Sequence, residues 1–180
     1  MNVMKLVLPS VEYKTSFIEA VEEFRADTTY PLRERWYEKL DLSWVERDFE
    51  AFVGQVRGYA RGERLPPGFV PQTDFWLIDE GEFIGRVSIR HRLTESLERI
   101  GGHIGYEIRP SKRGKGYGTA ILKLALPHAR ELGLVRVLLT CDETNEASKK
   151  IIEKSGGILE NTEENPATGV AKRRYWIELG

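Results

Sequence analysis

The sequence predicts one mixed α/β domain that covers residues 1–180. Segments rich in β-branched and aromatic residues alternate along the chain with segments whose apolar residues recur at helical spacing. No low-complexity linker separates a second hydrophobic unit, and 180 residues suffice for one buried core. With 41% hydrophobic and 31% charged residues, the composition is typical of an ordinary globular protein.

The first half of the chain predicts a strand, two helices and a hairpin. Residues 3–8 form the strand, and a helix begins near Val11. A second amphipathic helix follows from one apolar stripe made of Trp44, Val45, Phe49, Phe52, Val53 and Val56. Residues 58–71, with three glycines and three prolines, predict a loop. Two β-rich runs, 75–78 and 82–89, flank Glu80-Gly81 and predict a hairpin.

The second half predicts alternating strands and helices. These are a strand over 103–109 ended by Pro110, a helix over 119–132, a central apolar strand over 135–140, a short helix over 145–155, and a terminal hairpin of 158–161 with 170–179. Pro127 lies inside the longer helix and lacks a backbone donor. It should kink or split that helix, at a cost of about 3 kcal/mol if nothing compensates.

Charge and composition exclude several classes of function. The net charge is −1, with 27 basic and 28 acidic residues, which argues against nucleic-acid binding driven by bulk charge. No apolar run approaches membrane-spanning length, and residues 1–8 lack the pattern of a signal peptide, so we expect a cytoplasmic protein with no membrane partner. The one cysteine, Cys141, and three scattered histidines predict neither a disulfide nor a metal site.

The most informative motif is Arg113-Gly114-Lys115-Gly116-Tyr117-Gly118, which lies between a predicted strand and a predicted helix. Three glycines let the backbone approach a ligand closely, and the helix start directs unpaired N–H groups toward an anion. Glycine clusters are also common in tight turns, so a plain strand-to-helix turn is the alternative. A dinucleotide fingerprint fails because Thr119 stands where the third glycine belongs, and the P-loop fails because Lys115 lies between two glycines.

The motif resembles the signature of the GNAT N-acyltransferase superfamily, which is arginine or glutamine, two residues, glycine, one residue, and glycine or alanine. Arg113, Gly116 and Gly118 match it. Residues 106–110 resemble the family's fourth strand and its exit, 135–140 its fifth strand, and 145–148 with 153–156 the following helix, so about 55 contiguous residues align. The resemblance implies a central, mixed and mostly antiparallel sheet of six to seven strands that splays between strands four and five, with flanking helices.

The resemblance also implies transfer of an acetyl group from acetyl-coenzyme A to a primary amine. Backbone amides of Gly114, Lys115, Gly116, Tyr117, Gly118 and Thr119 would bind the pyrophosphate, with the charges of Arg113 and Lys115 nearby. Ile108 and Arg109 would offer backbone groups to the pantetheine arm, which the family holds like an added strand. Asn145 would contact that arm from the other side, although its pattern also fits a helix N-cap.

The proton chemistry departs from the common family pattern. Many members carry a tyrosine that protonates the departing thiolate, and its place here falls on Ile152, which cannot donate a proton. Ser148 together with Ile152 resembles the branch that contains ribosomal-protein N-terminal acetyltransferases, so Ser148 is a candidate acid or coenzyme contact. Solvent is an alternative acid, and a bond from Ser148 to the helix backbone is its alternative role.

The candidate base is Glu107, followed by His103 and Tyr106. A solvated or ion-paired glutamate is the alternative for Glu107. Strand alternation places His103 and Glu107 on one side of their strand and Tyr106 on the other. Cys141 lacks the constellation of a nucleophile, so direct attack by the amine is favoured.

The acceptor has no sequence signature. A lysine side chain needs about 4 to 5 kcal/mol to become neutral at pH 7 whereas an α-amine needs about 1 kcal/mol, so without a well-placed base a small-molecule or peptide amine of low pKa is the natural acceptor. Four acidic residues are candidates for an amine site, with solvated surface as the alternative for each: Asp27, Glu34, Asp41 and Asp74.

Three questions of class and assembly remain open at the level of sequence. A non-catalytic acyl-coenzyme A binding or sensing module is the alternative to an enzyme, because the donor tyrosine is absent. A nucleotide-dependent oxidoreductase would instead bind nicotinamide. Family members often dimerise through their C-terminal strands, so a homodimer contact competes with core packing as the role of Tyr175, Trp176 and Ile177.

Overall fold

The computed structural model describes residues 4–29 and 36–180. Seven strands form two sheets, one of four strands in the order β1-β2-β3-β4 and one of three in the order β5-β7-β6. The strands are β1 (Lys5–Val7), β2 (Gln72–Asp79), β3 (Glu82–Arg90), β4 (Ile104–Ile108), β5 (Arg136–Asp142), β6 (Ile158–Glu164) and β7 (Ala171–Glu178). All five strand ladders in the two sheets are antiparallel. The predicted fold class is therefore confirmed, and the predicted splay separates the two sheets.

Five α-helices flank the sheets: α1 (Lys14–Ala26), α2 (Leu42–Arg47), α3 (Phe49–Gly58), α4 (Tyr117–Glu131) and α5 (Glu146–Lys154). Short 3₁₀ turns occupy residues 11–13, 59–61 and 110–112, and a π-helical turn spans Leu97–Gly101. The hairpin predicted around Glu80-Gly81 joins β2 to β3. Both turn residues have positive φ angles, +50° and +82°, as a tight two-residue hairpin turn requires.

Two apolar clusters cover the two faces of the four-stranded sheet. Ile121 and Leu122 of α4 pack with Val137 of β5 against one face. Phe17 and Phe24 of α1, with residues of α2 and α3, pack against the other face. The sheet is therefore the middle layer of the fold, and α4 and α5 lie on the opposite side from α1.

The single helix predicted from the Trp44 to Val56 stripe is wrong, because two helices form. Asp48 leaves the helical conformation, with φ −134° and ψ 65°, and its side chain accepts the Ala51 N–H at 3.1 Å. An N-cap thus restarts the chain as α3. The apolar stripe continues across this break because Val45 and Phe49 enter the same cluster.

Pro127 does not split α4, which runs continuously from Tyr117 to Glu131. Pro127 and Lys123, the residue whose carbonyl loses its helical donor, are both exposed. Water can therefore bond to that carbonyl, which explains why the helix tolerates the proline.

A candidate acyl-transfer cleft

The two sheets meet at one point and then diverge. The His103 N–H donates to the Leu138 carbonyl at 2.7 Å, and the Leu138 N–H donates to His103 Nδ1 at 2.9 Å. Gly102 precedes this junction with φ +71°, and a Cβ there would lie 2.5 Å from the Leu138 oxygen. Beyond the junction β4 and β5 separate around a cleft of about 230 Å³.

The strand register shows which backbone groups face the cleft. Arg90 donates to His103 and Arg109 donates to Ile84, so odd-numbered residues of the β4 segment bond to β3. Alternation turns the backbone groups of Ile104, Tyr106 and Ile108 toward the gap. The backbone groups of Ile108 therefore face the gap, whereas the Arg109 N–H is turned away to β3.

Arg109 instead ties β4 to α1 through its side chain. Its guanidinium is buried and contacts Glu23 at 2.7 Å, Ser16 at 3.3 Å and Glu19 at 3.4 Å. The Glu23 carboxylate also accepts the Ser111 N–H at 3.1 Å. The pKa of Glu23 is lowered: burial opposes the shift, but the bonds from Ser111 and Arg109 outweigh it.

The glycine motif forms the lower end of the cleft. Gly114 and Gly116 have φ angles of +74° and +86°, which favour glycine, and a Cβ at either would meet no protein atom within 4 Å. A Cβ at Gly118 would instead lie 2.5 Å from the Ile151 Cδ1 atom, so this glycine permits contact between α4 and α5. Backbone conformation therefore favours glycine at positions 114 and 116, whereas close packing against Ile151 favours it at position 118.

The start of α4 offers N–H groups to an anion. Its first helical bond runs from the Ala120 N–H to the Gly116 carbonyl at 3.1 Å. The N–H groups of Tyr117, Gly118 and Thr119 precede that bond, so they have no acceptor one turn back in the helix. Together with the positive end of a 15-residue helix, they form a site suited to phosphate oxygens.

Side chains of the motif have different roles. Arg113 donates to the Ile108 carbonyl at 3.1 Å and to Asp27 at 2.7 Å, which joins β4, the motif and the end of α1. Burial raises the pKa of Asp27, but bonds from Thr29 and Arg113 more than reverse this and lower it to about 2. The Tyr117 hydroxyl donates to Asp79 at 2.7 Å, so its side chain is engaged at the end of β2. Lys115 is exposed beside the glycines.

Tyr106 and Ser148 lie close together across the cleft. Their hydroxyl oxygens are 2.9 Å apart, one on β4 and the other on the first turn of α5. The Asn145 side chain accepts the Ser148 N–H at 3.0 Å, so Asn145 is the N-cap of α5 and also lines the cleft. Both roles considered for Asn145 are compatible with this position.

Glu107 lines the cleft from the opposite side of β4. Its carboxylate accepts a hydrogen bond from the Trp36 indole N–H and lies 3.7 Å from the Arg86 Nε atom. The Arg86 guanidinium also stacks 4.5 Å from the centre of the Trp36 ring. This arrangement fixes the carboxylate at the side of the cleft bordered by α1.

His103 does not line the cleft. Its Nδ1 accepts the Leu138 N–H, and burial together with the charges of Arg90 and Arg136 lowers its pKa to about 4. The imidazole is therefore neutral near pH 7 and closes the junction between the sheets. The structure separates it from the pair of hydroxyls and from Glu107.

The other polar residues considered from sequence lie in different settings. Asp74 is buried and bonded to Gln72 and Ser88, so the solvated-surface role does not apply to it. Asp41 caps α2 by accepting the Trp44 N–H at 3.0 Å, and of the four acidic candidates only Asp27 is among the described residues that line the cleft. Glu34 lies outside the described residues.

Cys141 is buried, and this burial together with Asp142 raises its pKa to about 11. A thiol in that state is a poor nucleophile near neutral pH. Ile152 is 1% exposed and packs in the core between the sheet and α5, with one side at the cleft. The position of Ile152 therefore supplies no tyrosine hydroxyl to the cleft.

Sequence reasoning did not identify Trp36, Arg86 or Phe24 as site residues. Phe24 lies on α1, Trp36 between α1 and α2, and Arg86 on β3, and none of these segments carries a motif. The aromatic character of the segment between α1 and α2 is a sequence signal for Trp36 alone. Within residues 4–29 and 36–180, no group of three or more His, Cys, Asp or Glu side chains could hold a metal ion. No helix in those ranges has the length and apolar character to cross a membrane.

The splayed sheets, with a glycine motif and helix start at the lower end of the cleft between them, define the acyltransferase class of fold. The model of the acetyltransferase (GNAT) domain matches residues 34–158. The chain belongs to this family.

Known proteins agree with this membership. The chain is 39% identical over 124 residues to a mycothiol acetyltransferase of Geodermatophilus obscurus, a match covering 64% of the chain and 40% of the relative. It thus spans about two fifths of the length of the curated relatives it matches.

Solved structures share the fold. The acetyltransferase MccE for microcin C7 self immunity, solved with acetyl-CoA and AMP, superposes with a TM-score of 0.69 at 16% identity, over 97% of this chain and 92% of that one. RimL, a ribosomal L7/L12 α-N-protein acetyltransferase solved with coenzyme A, gives 0.67 at 15% identity over the same shares. The predicted likeness to the ribosomal-protein branch is confirmed at the level of fold.

Proposed function

We propose that this chain transfers an acetyl group from acetyl-coenzyme A to a primary amine by direct attack within a ternary complex, and that residues 1–180 act as one domain. The observation that carries the proposal is the anion cradle, formed by Gly114, Gly116 and the N–H groups of residues 117–119 at the start of α4. This cradle opens into the gap between β4 and β5. The donor would supply an activated thioester whose carbonyl carbon is attacked by the amine.

The residues present fit this donor. The N–H groups of residues 117–119 and the open space over Gly114 and Gly116 suit a pyrophosphate. The backbone groups of Tyr106 and Ile108 face the gap and suit an extended amide-bearing arm paired as an added strand. Asn145 borders the same gap from α5.

We assign Glu107 as the base, acting directly or through one water. It lines the cleft, and the Trp36 donor fixes the position of its carboxylate. The imidazole of His103 is engaged at the junction, and the thiol of Cys141 is buried. Both observations support direct attack by the amine, with neither residue taking part. An α-amine requires about 1 kcal/mol to become neutral at pH 7, against 4 to 5 kcal/mol for a lysine side chain, so we propose an acceptor amine of low pKa.

The relatives widen the choice of acceptor. A mycothiol acetyltransferase, a ribosomal-protein acetyltransferase and a spermidine N-acetyltransferase are among them. A panel containing peptide α-amines, polyamines and other small-molecule primary amines therefore tests the acceptor class. Strong preference for alkyl amines of high pKa would contradict the low-pKa proposal.

The donor site is tested by a matched pair of glycine variants. Gly116 and Gly133 have φ angles of +86° and +87°, and a Cβ at either would meet no protein atom within 4 Å. Gly116→Leu and Gly133→Leu therefore carry a similar backbone cost of about 1–2 kcal/mol. We expect Gly116→Leu to weaken coenzyme A binding at least tenfold in calorimetry and Gly133→Leu to leave it unchanged. Equal affinities of the two variants for coenzyme A would refute the proposed donor site at Gly116.

A non-catalytic acyl-coenzyme A binding module is the second candidate, because Ile152 replaces the usual proton donor. Thioester cleavage that depends on an added amine supports the enzyme. Binding without turnover across the whole panel supports the module.

We also propose a cytoplasmic location, where acetyl-coenzyme A is available, and a homodimer through the C-terminal strands. Tyr175 and Ile177 face the core, so core packing explains them. The apolar side chains that this hairpin exposes are Ile158, at 72%, and Leu159, at 45%. Sedimentation velocity distinguishes the dimer from a monomer.

A further inference from the structure

The hydrogen bond between Tyr106 and Ser148 joins the two walls of the cleft. Tyr106 is fixed on β4 opposite Val87 of β3, and Ser148 is fixed by the bond from its N–H to Asn145. Both side chains are partly buried, and both line the cleft where the thioester would lie.

We propose that Tyr106 and Ser148 form a two-hydroxyl relay that protonates the departing thiolate, with Tyr106 as the source of the proton. This inference rests on the proposed acetyl transfer. It assigns the missing donor to a different element of the fold: the phenol comes from β4 instead of α5, and its proton passes to the sulfur through Ser148, while Ile152 occupies the usual donor position on α5.

Relative acidity explains why the relay needs both hydroxyls. A serine hydroxyl alone is a far weaker acid than a thiol, so the serinate left by its proton loss would be strongly disfavoured. A phenol of reference pKa about 10 is within roughly 1.5 units of a thiol near 8.5. If Ser148 receives the Tyr106 proton as it gives up its own, the charge ends on the phenolate.

The position of Ser148 supports this transfer. It is in the first turn of α5, a nine-residue helix, and the positive end of the helix dipole favours negative charge there. The contact of 2.9 Å between the oxygens is within the range for direct proton transfer.

The step balances in atoms and charge. The acceptor nitrogen forms a bond to the acetyl carbon, and the carbon–sulfur bond breaks with its electron pair on sulfur. Ser148 gives its proton to that sulfur and takes the proton of Tyr106. The ammonium proton passes to Glu107 or water, and the phenolate regains a proton from solvent.

The first test does not require an acceptor. Coenzyme A is bound to the wild type and to Tyr106→Phe, and ultraviolet absorbance of the thiolate is followed against pH. Because the relay donates to the sulfur anion, the pKa of the bound thiol should rise by about one unit in Tyr106→Phe. The other ionisable side chains at the cleft, Asp27, Tyr37, Glu107 and Arg113, are the same in both proteins.

Tyr59→Phe is the matched control. It removes a hydroxyl that accepts the Gln55 amide at 3.0 Å in the turn after α3 and does not line the cleft. Its bound thiol should titrate as in the wild type. An equal thiol pKa in Tyr106→Phe and the wild type would overturn the relay and leave the donor site standing. A wild type that binds no coenzyme A would overturn the acetyl-transfer proposal together with the relay.

Turnover gives the second test, with the amine identified by the panel. Tyr106→Phe and Ser148→Ala should each lower kcat about 10²-fold while the affinity for coenzyme A changes less than threefold. Because the two groups act as a unit, the double variant should lose no more than the larger single loss. Multiplied losses, or a loss confined to KM, would overturn the relay and indicate separate contacts.

Discussion

Replacement of His103 by asparagine tests the junction that opens the cleft. Asparagine carries an acceptor oxygen near the position of the imidazole Nδ1 atom, so it can still receive the Leu138 N–H. It cannot be protonated. The variant should fold and preserve the junction while removing its sensitivity to acid.

The magnitude follows from the low pKa of His103, which is lowered from 6.5 to about 4 by burial and by the charges of Arg90 and Arg136. The unfolded chain binds a proton near pH 6.5 and the folded chain binds it only near pH 4, so the unfolded state holds more protons between these values. The free energy of unfolding therefore falls as the pH falls through this window. The loss amounts to about 2 kcal/mol at pH 5 and about 3 kcal/mol at pH 4.

Urea unfolding followed by tryptophan fluorescence at pH 7, 6 and 5 measures the effect. The difference between the wild type and His103→Asn isolates this histidine, because all other titrating groups are common to both proteins. We expect the difference to shift by about 2 kcal/mol in favour of the variant between pH 7 and pH 5. Parallel stability curves would refute the claim that a neutral, engaged imidazole closes the junction.

Two further predictions concern charges at the cleft. Asp27→Asn keeps the bonds from Thr29 but removes the ion pair with Arg113. Because the pKa of Asp27 is lowered from 3.8 to about 2 in the folded protein, the free energy of unfolding of the variant should be about 2 kcal/mol below that of the wild type above pH 4. This difference should vanish as the pH falls through 2. Urea unfolding checks this, with Asp41→Asn as a nearly neutral control since asparagine is an equally good N-cap; a loss that is independent of pH would contradict it. Glu107→Gln preserves an acceptor for the Trp36 N–H but cannot take a proton, so kcat should fall about 10²-fold with coenzyme A affinity unchanged, and full activity in steady-state assays would exclude Glu107 as the base.

Elements with local signals were predicted well. The hairpin turn at Glu80 and Gly81, the N-cap role considered for Asn145, and the helix predicted from Thr119, which begins two residues earlier at Tyr117, each depend on the conformation of a few neighbouring residues. The break at Asp48 was missed because the apolar stripe continues across it. An N-cap inside a regular stripe becomes visible only when backbone angles are known.

Site residues on distant segments were less predictable. The alternation of β4 correctly separated Tyr106 from Glu107, but the partners of these residues come from α5 and from the segment before α2. His103 was a reasonable candidate base by residue type. Its role depends on the Leu138 N–H and on two arginines, none of which is near it in sequence.

The sequence alone determined the family, the mixed α/β class and the glycine motif before α4, because each depends on short-range spacing that side-chain chemistry and backbone sterics impose. The tertiary structure alone decided which groups meet in the cleft. Strand register turned the Arg109 N–H away from it, and the splay after His103 brought Ser148 within 2.9 Å of Tyr106. Such contacts between residues 42 positions apart arise from packing, which local spacing does not encode.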